Sequence, residues 1–240
     1  MKKHILILSL FIISLGSQSQ ILITLLLGDK LNSDGLEFGL EGGVNWSTVS
    51  GLETKSYDHY FNLGFYFDIR IKKQLSFDTG VLVKSSLGVA KLTDNDLGQL
   101  NAYIYKNQEG KDVEGDYKQK MSYFIVPMLL KYKFKNHFYA ELGPQAGLMY
   151  KSWIEFESDI DGKDASIKEY NREDLNKIDA GVTAGLGYHL FKGRGWTIGV
   201  KYYYGLVNVY KNINGTKNSS FYLKLNIPIG AAKPEDNTKK

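Results

Sequence analysis

The chain has 240 residues, with 30 Lys and Arg against 26 Asp and Glu and a formal charge of +4, a length that suits one domain rather than two. The lack of any cysteine excludes structural disulfides, thiolate metal sites, a cysteine nucleophile and the lipid-bearing cysteine of a bacterial lipoprotein. Acids and bases are interleaved without the basic stripe that nucleic acid requires, and 25 Gly, 17 Tyr and 12 Phe against 4 Pro favour short strands in a closed sheet.

At the N-terminus, Lys2 and Lys3 precede an apolar run from Ile5 to Leu15, and Gly16, Ser17 and Ser19 follow as small residues. This pattern predicts a signal peptide over 1–20, cleaved near Ser19 or Gln20. The apolar stretch Ile21 to Leu27 is too short for a membrane span of ~20 residues. It opens a short periplasmic segment over 21–35.

From Leu36 the chain alternates with period two, the period of a strand with two unlike faces. Phe38, Leu40, Val44 and Trp46 fall on one face, against Glu37, Gly39, Glu41, Gly43 and Asn45 on the other. A second run sets Phe61, Leu63, Phe65, Phe67 and Ile69 against Asn62, Gly64, Tyr66, Asp68 and Arg70; a third sets Leu75, Phe77, Val81 and Val83 against Ser76, Asp78, Gly80 and Lys84. Five more runs cover Tyr123–Phe134, Phe138–Tyr150, Ile178–Leu190, Trp196–Leu206 and Ser220–Ile229, each near the ~10 residues a tilted strand needs to cross a bilayer.

Connection lengths alternate as well. Lys72–Gln74, Lys135–His137 and Phe191–Gly195 are short, and the other four connections are longer and polar. Transmembrane barrels keep short turns in the periplasm and long loops outside. The fold class is therefore all-β: an eight-stranded antiparallel up-and-down transmembrane β-barrel over 36–230, with both ends in the periplasm and a polar tail at 231–240. Trp46, Phe61, Phe124 and Tyr150 would form the outer aromatic girdle, and Phe77, Phe134, Phe138, Tyr188 and Trp196 the inner one. A soluble barrel would also alternate, but with its apolar faces turned inward.

A barrel of this size is filled by its own side chains. The inward faces carry many glycines together with Glu37, Glu41, Asp68, Asp78, Glu141 and Asp179 against Arg70, Lys84, Lys131, Lys133, Lys201 and Lys224. Because isolated buried charge is unfavourable, these residues predict a paired network in the periplasmic half and a plug in preference to a pore. Ile125, Pro127 and Leu129 are apolar on the inward face of their strand. Either the register shifts at Pro127 through a bulge, or the lumen is partly dry there.

Catalytic constellations are sparse. After the leader, His59, His137 and His189 fall at an outer strand end, an inner turn and an inner strand end, so no two are expected to meet. Asp58 and His59 form a rim dipeptide, a weak candidate for acid–base chemistry. Asp159, Asp161, Gly162 and Asp164 lack calcium-loop spacing and read as a solvated acidic loop. No cofactor, metal or catalytic set is called for. Outer-membrane lipid is the expected partner of the barrel wall, with a protein or surface ligand at loops 85–120 and 151–177.

Leu36 to Ser47, Ile125 to Tyr132, Glu141 to Gln145 and Tyr202 to Leu206 together resemble the PorT-like outer-membrane β-barrel family of Bacteroidota. The resemblance covers nearly all of the mature chain, and the leader end Ser17-Gln-Ser-Gln20 is similar to leaders in that phylum. It implies a fold and a location more than an activity. The functional expectation is a barrel without enzymatic activity, structural, adhesive or assembly-related, acting through its extracellular loops; the alternative is a narrow channel or small-ligand carrier.

Overall fold

The computed structural model describes residues 35–229 apart from 108, 161–162 and 194. The expected leader, nearly all of the segment at 21–35, and the tail lie outside the described residues. Nine antiparallel strands are present among them: β1 (Leu36–Val49), β2 (Asp58–Arg70), β3 (Leu75–Val89), β4 (Asp116–Lys133), β5 (Phe138–Ile160), β6 (Lys163–Tyr170), β7 (Ile178–His189), β8 (Thr197–Asn208) and β9 (Lys217–Pro228). A short helix α1 (Asp94–Gln99) lies between β3 and β4, and a single turn α2 (Leu190–Gly193) between β7 and β8.

Eight strands close into a ring. Pairing runs β1 to β5 in chain order, passes from β5 to β7, β8 and β9, and returns to β1 with Val44 opposite Leu223. Closure leaves the bilayer without an unpaired sheet edge, the condition for a strand-built span. The wall is apolar outward: Leu130, Leu142, Leu148, Leu186 and Leu206 are all more than half exposed, whereas Glu41, Lys131, Glu141, Lys201 and Lys224 are buried within. A soluble barrel has the opposite polarity. Trp46, Phe61, Phe124 and Tyr150 at the outer ends, and Phe134, Phe138 and Trp196 at the inner ends, are exposed on this wall, as girdles require.

β4 and β5 are longer than the alternation suggested. Sequence reading begins the fourth strand at Tyr123 and ends the fifth at Tyr150, whereas the strands start at Asp116 and run to Ile160. Most of the supposed loop at 151–177 is the upper half of β5 paired with β6, from Trp153 opposite Tyr170 to Ile160 opposite Lys163. The supposed loop at 85–120 shrinks to 90–115, since β3 continues to Val89. The physical reason is simple: beyond the bilayer the outward face no longer has to be apolar, so Lys118 and Lys120 occupy it without the signature of a membrane strand.

Of the two alternatives at Pro127, the bulge does not form there. Across Pro127 the register of β4 with β5 is unbroken, from Val126 opposite Ala146 to Leu130 opposite Leu142. Ile125, Pro127 and Leu129 are buried, so the dry lumen is the alternative that holds. Instead, β3 shifts register against β4 between Leu82 and Ser85. Two consecutive residues, Val83 and Lys84, are exposed there. Lys84, expected in the lumen, therefore stands outside, its ammonium 5.8 Å from the centre of the Phe61 ring.

Candidate functional site

The inner half of the lumen is a layer of fixed charge. Lys131 Nζ lies 3.2 Å from Asp68, contacts Asp78 still more closely, and stands 3.9 Å from Glu141. Lys133 adds a 3.0 Å contact to Asp68, and Lys224 a 2.7 Å contact to Glu141. Lys201 pairs with Glu41 at 2.8 Å. Four lysines thus meet four carboxylates, and the layer is formally neutral. Space for it comes from small residues on the neighbouring strands: a Cβ added at Gly187 or Gly199 would come within 2.3 Å of the Tyr139 phenol, whose ring also faces the Lys131 and Lys224 ammoniums at 5.0 and 5.7 Å.

Besides Lys84, three residues expected in this layer are not part of it. Arg70 ends β2 and is exposed, because the strand has already reached the inner rim. Glu37 faces inward but accepts a hydrogen bond from the Tyr66 hydroxyl at 2.8 Å and pairs with no cation among the described residues. Asp179 stands apart nearer the outer side, accepting from Asn218 at 3.0 Å.

Above the charged layer the lumen changes character. Leu82, Tyr123, Ile125, Leu129, Tyr203 and Tyr222 are buried, with a polar string in which Asn45 donates to Ser220 Oγ at 2.9 Å, Asn62 to Asn45 Oδ1 at 3.1 Å and Ser85 to Asn62 Oδ1 at 2.5 Å. Beyond its bulge, β3 has lost β2 as a neighbour. Its backbone turns to inward side chains of β1: Ser47 Oγ accepts from the Gly88 amide at 2.8 Å and donates to the Gly88 carbonyl at 3.1 Å, while Asn45 donates to Ser86 O at 3.1 Å. The top of β3 thereby constricts the mouth.

Loop residues complete the closure. Leu52, Leu92, Leu97, Leu175, Val209 and Tyr210 join Val49, Leu87, Met121 and Phe156 in one apolar cluster. Two polar hubs fix the loops over it. Asp96, in a capping box with Thr93 at the start of α1, accepts from the Glu53 and Thr54 amides at 2.6 and 3.1 Å; burial would raise its pKa, but these amides and that of Thr93 hold it below the ordinary value. Gln119, fully buried, donates to Ser152 Oγ at 2.8 Å and accepts from Asn171 at 2.7 Å and Tyr210 at 3.2 Å.

The family model for the outer membrane protein beta-barrel domain matches residues 18–211. The chain belongs to this family. Among solved structures it is similar to Ail, the attachment invasion locus protein of Yersinia pestis (13% identity, covering 82% of this chain and 99% of that one, TM-score 0.40). It is similar also to Neisserial surface protein A (13%, 81% and 99%, 0.43) and to OprG of Pseudomonas aeruginosa (10%, 81% and 93%, 0.33). No curated protein sequence matches it.

In this outer-membrane barrel His59, His137 and His189 form no acid–base pair with one another. His137 and His189 do meet at the inner rim, contrary to the sequence reading, but through backbone, the His189 amide donating to the His137 carbonyl at 2.9 Å. Their rings turn to different partners, Tyr188 and Tyr139. The His59 side chain is 83% exposed and 3.9 Å from Asp58, which instead accepts from the Tyr60 hydroxyl at 2.5 Å. Asp96 and Gln119 escaped sequence reading because they lie in what read as one polar loop; the Thr93-to-Asp96 spacing is the signal that could have found the first.

Proposed function

We propose that this barrel works without enzymatic activity as a closed pedestal, presenting its outer surface for adhesion or assembly. The observation that carries the reading is the double closure of the lumen, by neutralised charge in the inner half and by an apolar, loop-covered mouth in the outer half. An ion crossing the first layer would have to break ion pairs whose members are at most 4% exposed, and the second bars it with an apolar cluster of strand and loop side chains. The extracellular sheet of β4, β5 and β6 is then the part free to engage a partner.

The PorT-like assignment belongs to the same proposal. It is supported by the positions of the resembling segments, which fall in β1, β4, β5 and β8. So does export through a cleaved leader, supported by the basic–apolar–small order of residues 1–20.

The test is single-channel conductance in a planar bilayer of protein shown to be folded by heat-modifiable gel migration. The closed pedestal predicts no unitary steps. Stable, ion-selective steps that change on Lys201→Gln or Glu41→Gln would overturn it in favour of a narrow channel.

A further inference from the structure

The outward face of the extracellular sheet carries an unusual group. Three ammoniums surround one indole: Lys151, Lys168 and Lys120 lie 5.0, 5.4 and 5.5 Å from the Trp153 ring centre. Lys120 also stands 5.1 Å from the Tyr60 ring, and Lys151 5.4 Å from that of Tyr170. Cation–π attraction holds each side chain in place, but it does not neutralise charge.

Among the described residues, Lys168 alone of the three has an ion pair within 4 Å, with Glu155 at 3.2 Å. That carboxylate is fully engaged. Ser166 donates to one oxygen at 2.7 Å and the Trp153 indole N–H to the other at 3.1 Å; against the upward push of burial, these bonds and Lys168 bring its pKa down to about 2. Lys118, on the same face, is taken by Glu157 at 2.5 Å. Among the described residues, neither Lys120 nor Lys151 has a carboxylate within 4 Å. Two ammoniums are thus held on one aromatic platform with no carboxylate in contact, an arrangement that an added anion would stabilise.

The height of the platform identifies the anion. Lys151 follows Tyr150, whose ring packs on Phe124 at 4.8 Å in the outer girdle, and Lys120 is four residues above Phe124 on β4. At about 3.3 Å per residue along a strand tilted by about 45°, this puts the two ammoniums up to about 10 Å above the girdle. The polar layer of a bilayer occupies the first 5–7 Å or so beyond the hydrocarbon, within reach of a lysine side chain.

The geometry points to Lys120, Lys151 and Trp153 as a binding site for a phosphate group on the headgroup of an outer-leaflet lipid. The site orients the barrel against the lipid surface and leaves the far edge of β6 turned away from it. This inference rests on the outer-membrane placement and not on closure of the lumen, so a conducting barrel would leave it standing.

The chain has three tryptophans, so Trp46→Phe with Trp196→Phe leaves Trp153 as the sole indole reporter. This protein, folded in dodecyl maltoside micelles, which carry no phosphate, is titrated with bis-phosphorylated lipid A. A saturable change in Trp153 emission is expected, with half-saturation raised at least tenfold by Lys120→Gln plus Lys151→Gln and unaltered by Lys84→Gln, a lysine on a different ring. Heat-modifiable migration confirms that each variant is folded. Equal titration of the double variant and its parent, an equal response to dephosphorylated lipid A, or no response at all overturns the assignment. Saturation by inorganic phosphate at the same concentration also overturns it, in favour of a soluble anion.

Discussion

Replacing Lys131 by methionine removes one ammonium from contact with three carboxylates, yet the structure limits the damage to one of them. Asp68 keeps Lys133 at 3.0 Å and Glu141 keeps Lys224 at 2.7 Å. Asp78, buried in the same layer, has no other ion pair among the described residues. Stranding one buried charge costs about 3–5 kcal/mol, and that is the loss of unfolding free energy expected for Lys131→Met, far less than three times a pair. Adding Asp78→Asn removes the stranded charge, and the double variant should recover most of the loss, because replacing a whole buried pair is often close to neutral. The assay is a urea series in lipid vesicles, scoring folded protein by heat-modifiable migration for both single variants, the double variant and the parent. A loss below about 1 kcal/mol for Lys131→Met, or a double variant no more stable than that single one, would refute the picture of a dry, pairwise-compensated layer.

Gly187→Val introduces atoms where a Cβ already comes within 2.3 Å of Tyr139; about 1–3 kcal/mol of destabilisation is expected from overpacking, with partial rescue by Tyr139→Leu in the same urea assay. Lys84→Ala and Arg70→Ala, both on the outside, should change stability by no more than about 0.5 kcal/mol, and a large effect at Arg70 would restore it to the lumen. Asp96 titrates below its ordinary 3.8 in the folded protein; its contribution is therefore complete above that value and is lost as pH falls through the lower folded one. Protease cutting within 90–115 should accordingly rise only in strong acid, and Asp96→Asn, which weakens the hydrogen bonds from the Glu53, Thr54 and Thr93 amides, should raise it at neutral pH, at a local cost of about 1 kcal/mol; equal cutting of variant and parent at neutral pH would remove Asp96 from its role as a hub.

Inside the bilayer the barrel was readable because two solvents impose opposite demands on alternate residues. Lipid requires Leu130, Leu142 and Leu186 on one face, while the packed lumen requires Gly or paired charge on the other. Period two follows, and with it strand identity and the inward placement of Glu41, Lys131, Glu141, Lys201 and Lys224. The bulge in β3 was not readable, since the apolar run Val81-Leu82-Val83 and the polar run Lys84-Ser85-Ser86 suit either register and the slip depends on β4, β2 and β1 together. That one slip moved Lys84 from the lumen to the wall. Above the girdle water bathes the outward face, so the period carries no hydropathy contrast, and both β6 and the group around Trp153 went unseen. Arg70 was misplaced for a different reason: alternation gives a face but not a height, and at the rim an inward residue reaches open water.

The β3 slip also explains why the outer surface is ordered. If β3 had stayed in register with β2 to its end, Gly88 and Ser86 would have bonded a neighbouring strand and the mouth would have stayed as wide as the barrel. Instead their backbone groups are satisfied by Ser47 and Asn45 from inside, and the narrowed mouth can be closed by the few apolar side chains that the loops supply. Loops anchored by burial lose little further conformational entropy on meeting a partner, and that ordering is one of the costs of loop-mediated recognition. On the proposed closed-pedestal reading, the closure that bars conduction also pre-organises the surface for a partner, and one local irregularity in β3 serves both ends.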